Sequence, residues 1–452
     1  MNTKTNLADR FGNGASPLSA SQRFNINKFM ISDAGCDAFN KLTVERLTDD
    51  SSNWFLYATS EGTYNKSKGF KPENVCYTGD INPQLGGGAG QNLTNGAKLA
   101  LAAWKYGNLK TLATEIDENS QVTHSFGFAG GGSTFPAILK LTKELKEATQ
   151  TSSPLSNDDE FSLEDLVSSS KKYGLLATIV APRSGEQKKW ENYKQGINSF
   201  LYQDGGYDPI IGYQVLKIDD IIAQSSTGEL SDQEILRLSA LHFAKTNMII
   251  KRFYTSESIS NTDIDSSEIL GALAEPGEVV INLASSGSME AKVDKAFTAF
   301  KREYKRLNAA STIEGASSAL VLFEYPTSYN REIEDIKAEE AVITMINDQC
   351  NTDESSAIIK YACVNGDVTY PTINCIFTGI NAEARRTDLS VKKNNIGLSN
   401  VAEQLRKNNA VIDGGVSQNL SKSEAASLRW ANKRDQTDST RPNDENLIRK
   451  NS

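Results

Sequence analysis

Histidine and cysteine are scarce in this chain. His124 and His242 are the only histidines in 452 residues, and Cys36, Cys76, Cys350, Cys363 and Cys375 form an odd set with no CxxC or other close metal-ligand spacing. Neither a disulfide framework nor a zinc site fits that pattern. Long apolar runs are missing as well: no stretch approaches the roughly 18 residues of a membrane span, and the opening "MNTKTNLADRFGNG" has no apolar core of the signal-peptide kind. The expectation is a cytoplasmic protein without membrane contact. An excess of basic residues is also lacking. The 57 acidic residues outnumber 48 basic ones, giving a net charge of -9 and a pI near 5.1, which argues against unspecific nucleic-acid binding by the whole surface.

A chain this long exceeds one compact core and suggests two domains and a tail. From about residue 26 to 230, short apolar runs such as "WFLYAT" and "GLLATIVAP" alternate with helical stretches, the pattern of an α/β domain with a largely parallel sheet. An N-terminal extension, 1–25, precedes it. Ser231 and Glu234 have capping-box spacing and open a long helix over 231–257, with apolar Ile235, Leu238, Leu241, Met248, Ile249 and Phe253. Residues 258–385, with "EVVINLAS", a Lys- and Glu-rich helical stretch over 289–308, "SALVLFEY", "AIIKYACVN" and "TINCIFTGI", predict a smaller α+β domain, a sheet covered on one face. The stretch 148–165 is polar and reads as a surface insertion. From 386 to 452 the chain is polar and Asn-rich. Residues 391–452 hold 11 Lys and Arg against 7 Asp and Glu, about +4, so the rest carries about -13. Such a segment is expected to be largely disordered and flexible; with Trp430 beside Arg429, Lys433 and Arg434 it also has the makings of a docking arm.

Two glycine-rich loops sit where strands give way to helices: "GGGAGQNLTNGAKLA" over 86–100 and "FGFAGGGSTFP" over 126–136. Backbone amides in such loops can close on an anion, and a helix N-terminus adds a favourable dipole. Two of them imply an elongated polyphosphate. A dinucleotide-dependent oxidoreductase is the competing reading, but no GxGxxG follows an early strand.

In order and spacing, "ISDAGCDAFNKL" (31–42), "GGGAGQNLTNGAKLA", "GFAGGGST" (127–134) and "ATIVAPRSGEQKKWENYKQGI" (177–197) resemble the nucleotide loops of the tubulin/FtsZ superfamily over about residues 26 to 380. The resemblance implies a Rossmann-like GTPase domain, a central helix and a smaller C-terminal domain. It implies GTP or GDP as the bound nucleotide, with Mg²⁺ carried by its phosphates and no protein metal ligands assigned. Ala34, Gly35 and Cys36 match the first "GGxGxN" turn, Asp37 stands for its Asn, and Asn40 matches a second Asn. Ser32 and Asp33 replace the glycine pair, so Asp33 must face away or pair with a cation. Gly88, Ala89, Gly90 and Asn92 match "GAGxN". Gly130, Gly131, Gly132, Ser133 and Thr134 match the signature "GGGTGTG", truncated after the serine. Glu186 would hold the ribose, with Lys189 in place of an Arg. Phe243 and Asn247, four apart on one helix face, would pack on the guanine and read its edge.

"SNTDIDSSEIL" (260–270) resembles the superfamily's "NxDxxD/E" loop. Asp265 and Glu268 take the acidic positions and Asp263 the place of an Asn. The resemblance implies that these carboxylates act on the γ-phosphate in a neighbouring subunit, polarising the attacking water in a head-to-tail homopolymer. Asp265 to Glu268 is also a capping-box spacing that would start a helix with no chemistry. The resemblance implies a filament-forming GTPase of the phage- or plasmid-encoded kind that positions DNA, with a tail that binds an adaptor or a DNA complex. A nucleotide-binding scaffold without turnover is one alternative. A cell-division ring protein is another, against which the end "RPNDENLIRKNS" lacks the apolar "D-I-P-x-F-L" type of peptide.

Overall fold

The computed structural model describes residues 25–48, 53–79, 88–113, 122–151, 174–203, 206–223, 229–255, 266–285, 313–350 and 357–381. The expected helix over 289–308, the tail beyond 385, nearly all of the N-terminal extension and most of the 148–165 insertion lie outside them.

Strands β1 (Ile26–Ile31), β2 (Trp54–Ala58), β3 (Val75–Tyr77), β4 (Val122–Phe128) and β5 (Gly174–Ala181) are followed by a short hairpin, β6 (Tyr202–Gln203) and β7 (Gly206–Tyr207), and by β8 (Gly212–Lys217). Every residue of β1, β2 and β5 is buried. Strands covered on both faces have no reason to alternate polar with apolar, which is why "GLLATIVA" reads as one apolar run. The covering helices are α1 (Ser32–Val44), α2 (Glu61–Lys66), α3 (Leu93–Tyr106), α4 (Thr134–Thr151), α5 (Gln187–Leu201) and α6 (Ile218–Ala223). These strands lie in the order β3-β2-β1-β4-β5-β8, all parallel. The chain builds outward from β1 through β2 and β3, then resumes on the other side of β1 with β4. That reversal leaves a crevice at the C-terminal ends of β1 and β4, where open α/β sheets bind ligands.

Helix α7 (Asp232–Thr255) follows, one residue after Ser231, whose hydroxyl accepts from the Glu234 N–H at 3.2 Å as the capping spacing predicts. Its first half, with Ile235, Leu236, Ala240, Phe243 and Ala244, packs into a cluster with Met30, Phe39, Trp54 and Phe126. Its second half, with Ile249, Ile250 and Phe253, belongs to another cluster that includes Ile26, Val122, Leu176, Leu320 and Leu322. Each such buried side chain contributes about 1.5–3 kcal/mol, so the helix is anchored to both halves of the molecule. Met248, on the apolar list from the sequence, is 43 % exposed.

The C-terminal part comprises α8 (Ser266–Ala274), β9 (Gly277–Ser285), β10 (Ser318–Pro326), α9 (Ile333–Cys350), β11 (Ile358–Gly366) and β12 (Thr372–Ile380). Strand β12 runs antiparallel to β9 and β10, while β10 and β11 are parallel. This sheet is not separate from the first: two residue pairs, Gly212↔Gly277 and Tyr213↔Glu278, join β8 to β9 and make one ten-stranded sheet. Glycines make the junction possible. A Cβ on Gly212 would stand 3.0 Å from Leu176, and Gly277 has a φ of 127°, closed to most side chains. Among the described residues no helix is long and apolar enough to cross a membrane.

Candidate nucleotide site

The residues that follow β1, β2, β4 and β5 meet at the crevice, together with the segment 88–92 that lies between β3 and α3. After β1 the chain makes no glycine turn; it passes directly into α1 at Ser32, a serine held at φ 65°. A non-glycine residue in that region costs on the order of 1 kcal/mol, and such strain gathers at functional positions. Ala34, Gly35 and Cys36, expected in a loop, are instead in the first turns of this helix, because Gly35 packs against the Met30 backbone and Cys36 is buried with its thiol donating to the Thr63 carbonyl. Burial, reinforced by Asp37 and Asp33, pushes that thiol up to about 12, so it is not a reactive thiolate. No side chain caps the helix among the described residues, which leaves its first amides available to an anion. Asn40 lies farther along and donates to the Lys66 carbonyl. Asp33 does pair with a cation: Lys66 Nζ is 3.1 Å from Asp33 and 3.4 Å from Asp37.

The second loop carries three left-handed residues, Gly88 (78°), Gly90 (58°) and Gln91 (54°). Asn92 then caps α3 by accepting from the Asn95 N–H at 3.1 Å, and Ala89 is buried. In the third loop Gly130 has a φ of 102°, and Ser133 precedes α4, accepting the Ala137 N–H through its carbonyl at 3.1 Å. Thr134 donates to the Phe128 carbonyl at 2.8 Å, folding the loop back on β4.

The glycines divide into two kinds. A Cβ on Gly132 would lie 2.3 Å from the Asn92 carbonyl oxygen, one on Gly96 1.7 Å from the Gly132 oxygen, and one on Gly130 2.6 Å from the Lys189 Cβ. These three let the loops pack on each other and on α5. Around a Cβ on Gly90 or Gly131, by contrast, nothing among the described residues lies within 4 Å. Both residues are exposed, and the side of each on which a side chain would stand is open among the described residues, which leaves room for a ligand to approach.

Thr59, which follows β2 and was not singled out from the sequence, is 3 % exposed and lies 3.4 Å from both Ser32 Oγ and Ser133 Oγ. Three hydroxyls from three loops thus meet at the crevice. Asn192 was also missed: its side-chain amide donates to the Gln91 carbonyl at 2.9 Å and to the Gly130 carbonyl at 3.1 Å. The only sequence signal was its place on the inner face of a helix entering the site.

Beyond β5, Glu186 accepts from the Arg183 N–H at 3.3 Å and is ion-paired with Lys189, both half-exposed. Arg183 reaches Asp232 at the start of α7 with an ion pair of 2.7 Å, so this end of α7 is the one beside the loops. Phe243 and Asn247 are not there. At a rise of about 1.5 Å per residue they lie roughly 16 and 22 Å down the axis from Asp232. Phe243 is 0 % exposed, packed on His124, Phe126 and Trp54, and no base can stack on it. Asn247 is buried, its amide donating to the Phe243 carbonyl and its oxygen accepting from His124 Nδ1 at 2.8 Å. His124 Nε2 therefore accepts from Thr178 at 2.8 Å, and burial pushes this imidazole down to about 3, keeping it neutral.

Helix α8 begins at Ser266, where the capping spacing places it. Glu268 is half-buried and ion-paired with Lys360 of β11. Asp263 and Asp265 lie outside the described residues. Among the described residues no group of three His, Cys, Asp or Glu is placed to hold a metal ion.

No protein-family model matches the sequence, and no curated protein does. Solved structures do. The GDP-bound monomer of CetZ1 from Haloferax volcanii aligns with a TM-score of 0.56 and 17 % identity, over 85 % of this chain and 100 % of that one. A GTPγS-form protofilament of Bacillus thuringiensis serovar israelensis TubZ gives 0.57 and 15 %, covering 84 % and 94 %. The empty FtsZ dimer of M. jannaschii gives 0.56 and 13 %, covering 80 % and 90 %. With its parallel-dominated sheet, central helix and crevice loops, this chain has the tubulin/FtsZ fold.

Proposed function

We propose that the protein binds GTP at the crevice, hydrolyses it, and polymerises head to tail. The observation that carries this reading is the pair of open-faced glycines, Gly90 and Gly131, in two loops packed together at the strand-order reversal. The uncapped start of α1 and the hydroxyls of Ser32, Thr59 and Ser133 supply further donors. Neighbours of the same fold include structures with GDP or GTPγS bound and structures that are protofilaments, which supports both the ligand class and self-association. The exposed Arg183–Asp232 pair and Glu186 stand on the sugar and base side, in place of Phe243 and Asn247.

Magnesium fits this site as a companion of the nucleotide. The three hydroxyls are oxygen donors of the kind a hard cation accepts beside phosphates, and the ion would offset phosphate charge. Phosphoryl transfer needs mainly positioning and charge stabilisation. The chain's own part is to fix the polyphosphate through loop amides, and to present the carboxylates of Asp263 and Asp265 from the segment before α8 to the next subunit's crevice. Lys360 holds Glu268 and so fixes the first turn of α8 behind them. A contact between the front of one copy and the back of the next is heterologous, and repetition without closure gives a filament.

The role proposed for such a filament, from the sequence resemblance to the phage- and plasmid-encoded kind, is positioning DNA in a bacterial cytoplasm, with an adaptor or DNA complex docked on the basic tail. The test of the whole reading is phosphate release from GTP and Mg²⁺ across protein concentrations, with light scattering alongside. A specific rate that rises above a threshold together with scattering is expected. Binding without release at any concentration would leave a nucleotide-binding scaffold. In the same assay Asp265→Ala should lower turnover by about 100-fold or more while nucleotide binding persists; unchanged turnover would remove that residue from the chemistry.

A further inference from the structure

The two glycine loops belong to different strand-helix units, and their spacing decides whether amides from both can reach one polyphosphate. Three contacts fix that spacing without any ligand. Gly132 lies against Asn92 and Ala89, Gly96 lies against Gly132, and Asn192 bonds to a carbonyl in each loop. The first two are close approaches with no directional bond, and apolar packing of α3 on α4 behind the loops holds the two units together. Among the described residues the Asn192 amide, using both of its N–H groups, is the side chain that hydrogen-bonds to both loops.

Helix α5 is built to hold that amide in place. Gly196, one turn beyond Asn192, sits so close to Phe135 in the first turn of α4 that a Cβ there would fall 2.0 Å from the ring. Lys189, one turn before, presses its Cβ on Gly130. Lys189, Asn192 and Gly196 follow a spacing of three and four and so form one stripe, which runs along the third loop. Asn192 is 9 % exposed; its bond to the Gly130 carbonyl is buried and its bond to the carbonyl of the exposed Gln91 is partly buried, and removing the donor from the buried carbonyl is costly.

We infer that Asn192 is a positioning residue that locks the second and third loops into a single preformed cradle, so that the nucleotide meets a rigid site in the free subunit. It touches no phosphate itself and acts through the Gln91 and Gly130 carbonyls. This inference rests on the nucleotide-binding reading but is tested separately from it.

Two variants and one measurement on the unaltered chain decide the matter. Asn192→Ala removes both bonds and should weaken GTPγS binding by about 10-fold, the equivalent of two ordinary hydrogen bonds lost from the bound geometry. Asn192→Asp sets a carboxylate against two carbonyls and should weaken it further. A merely structural role would lower the melting temperature and leave the affinity of the folded protein unchanged, and that result in Asn192→Ala would overturn the inference. In the unaltered protein without nucleotide, amide hydrogen exchange at 88–92 and at 130–133 should report one shared opening. Independent opening of the two loops would overturn the inference even if neither variant folds. Failure of the unaltered protein to bind GTPγS would instead refute the nucleotide site, leaving the exchange experiment as the test of the clamp.

Discussion

Gly130 and Gly131 are neighbours in sequence and opposites in use. A Cβ on the first would enter Lys189, whereas a Cβ on the second would have none of the described residues within 4 Å. The same split separates Gly96 and Gly132 from Gly90. A glycine triplet in a sequence can therefore mix two kinds of position, those where backbone packs closely on a neighbour and those left open among the described residues, which we propose face the nucleotide. Only the three-dimensional arrangement assigns each residue to one kind.

The packed class should give the largest effect when broken. Gly96→Val would drive carbon into the Gly132 carbonyl, and overpacking of this kind costs about 3 kcal/mol or more where backbone must shift. Urea denaturation should show a lowered midpoint or an unfolded chain; native stability would mean that the loops are not in contact as described. A smaller effect separates the interior from the crevice mouth. His124 is buried and His242 half-buried, and desolvation pushes them down to about 3 and about 4, whereas in the unfolded chain they take up protons below about pH 6.5. The unfolded state binds more protons in that window, so the stability is fully present above pH 6.5 and is lost as pH falls towards 4 and 3. Each histidine contributes up to about 1.4 kcal/mol per pH unit. Denaturation at pH 7, 6 and 5 should show this slope, and His124→Gln should remove one histidine's share; an unaltered slope would contradict the burial. The smallest effect belongs to the mouth. Asp33 and Lys66 have side chains 58 % and 46 % exposed, so Lys66→Met should change stability by less than about 1 kcal/mol, and a larger loss would show that the pair holds the first loop.

Much of the fold was legible because both faces of the central strands are covered. "GLLATIVA" and "SALVLFEY" read as strands and are strands, and Ser231 with Glu234 marked the start of the long helix within one residue. The site was legible only where it depends on local chemistry. Gly88 and Gly90 adopt the left-handed conformations that glycine permits, and Asn92 caps the helix that its type favours. Phe243 and Asn247 failed because a helical period gives the face of a residue but not its depth along the axis; that depth is set by tertiary packing of the helix in its two apolar clusters. The first loop failed for a related reason. "ISDAGC" contains a glycine, but Gly35 serves packing on Met30 and the helix starts at once. Asn192 carried no signal beyond its place on the inner face of a helix, since its partners are 101 and 62 residues away. The join of the two sheets through Gly212 and Gly277 was equally remote.

The most direct test of the central claim is equilibrium binding of GTPγS to Gly131→Val, with thermal unfolding measured in parallel. Because the backbone of Gly131 needs no left-handed conformation and none of the described residues lies within 4 Å of its Cβ position, the variant should melt with the unaltered protein. Its affinity should fall by roughly 100-fold, as expected when about two hydrogen bonds to a charged group are lost. A variant that folds normally and binds GTPγS as tightly as the unaltered chain would show that the open glycines face no phosphate.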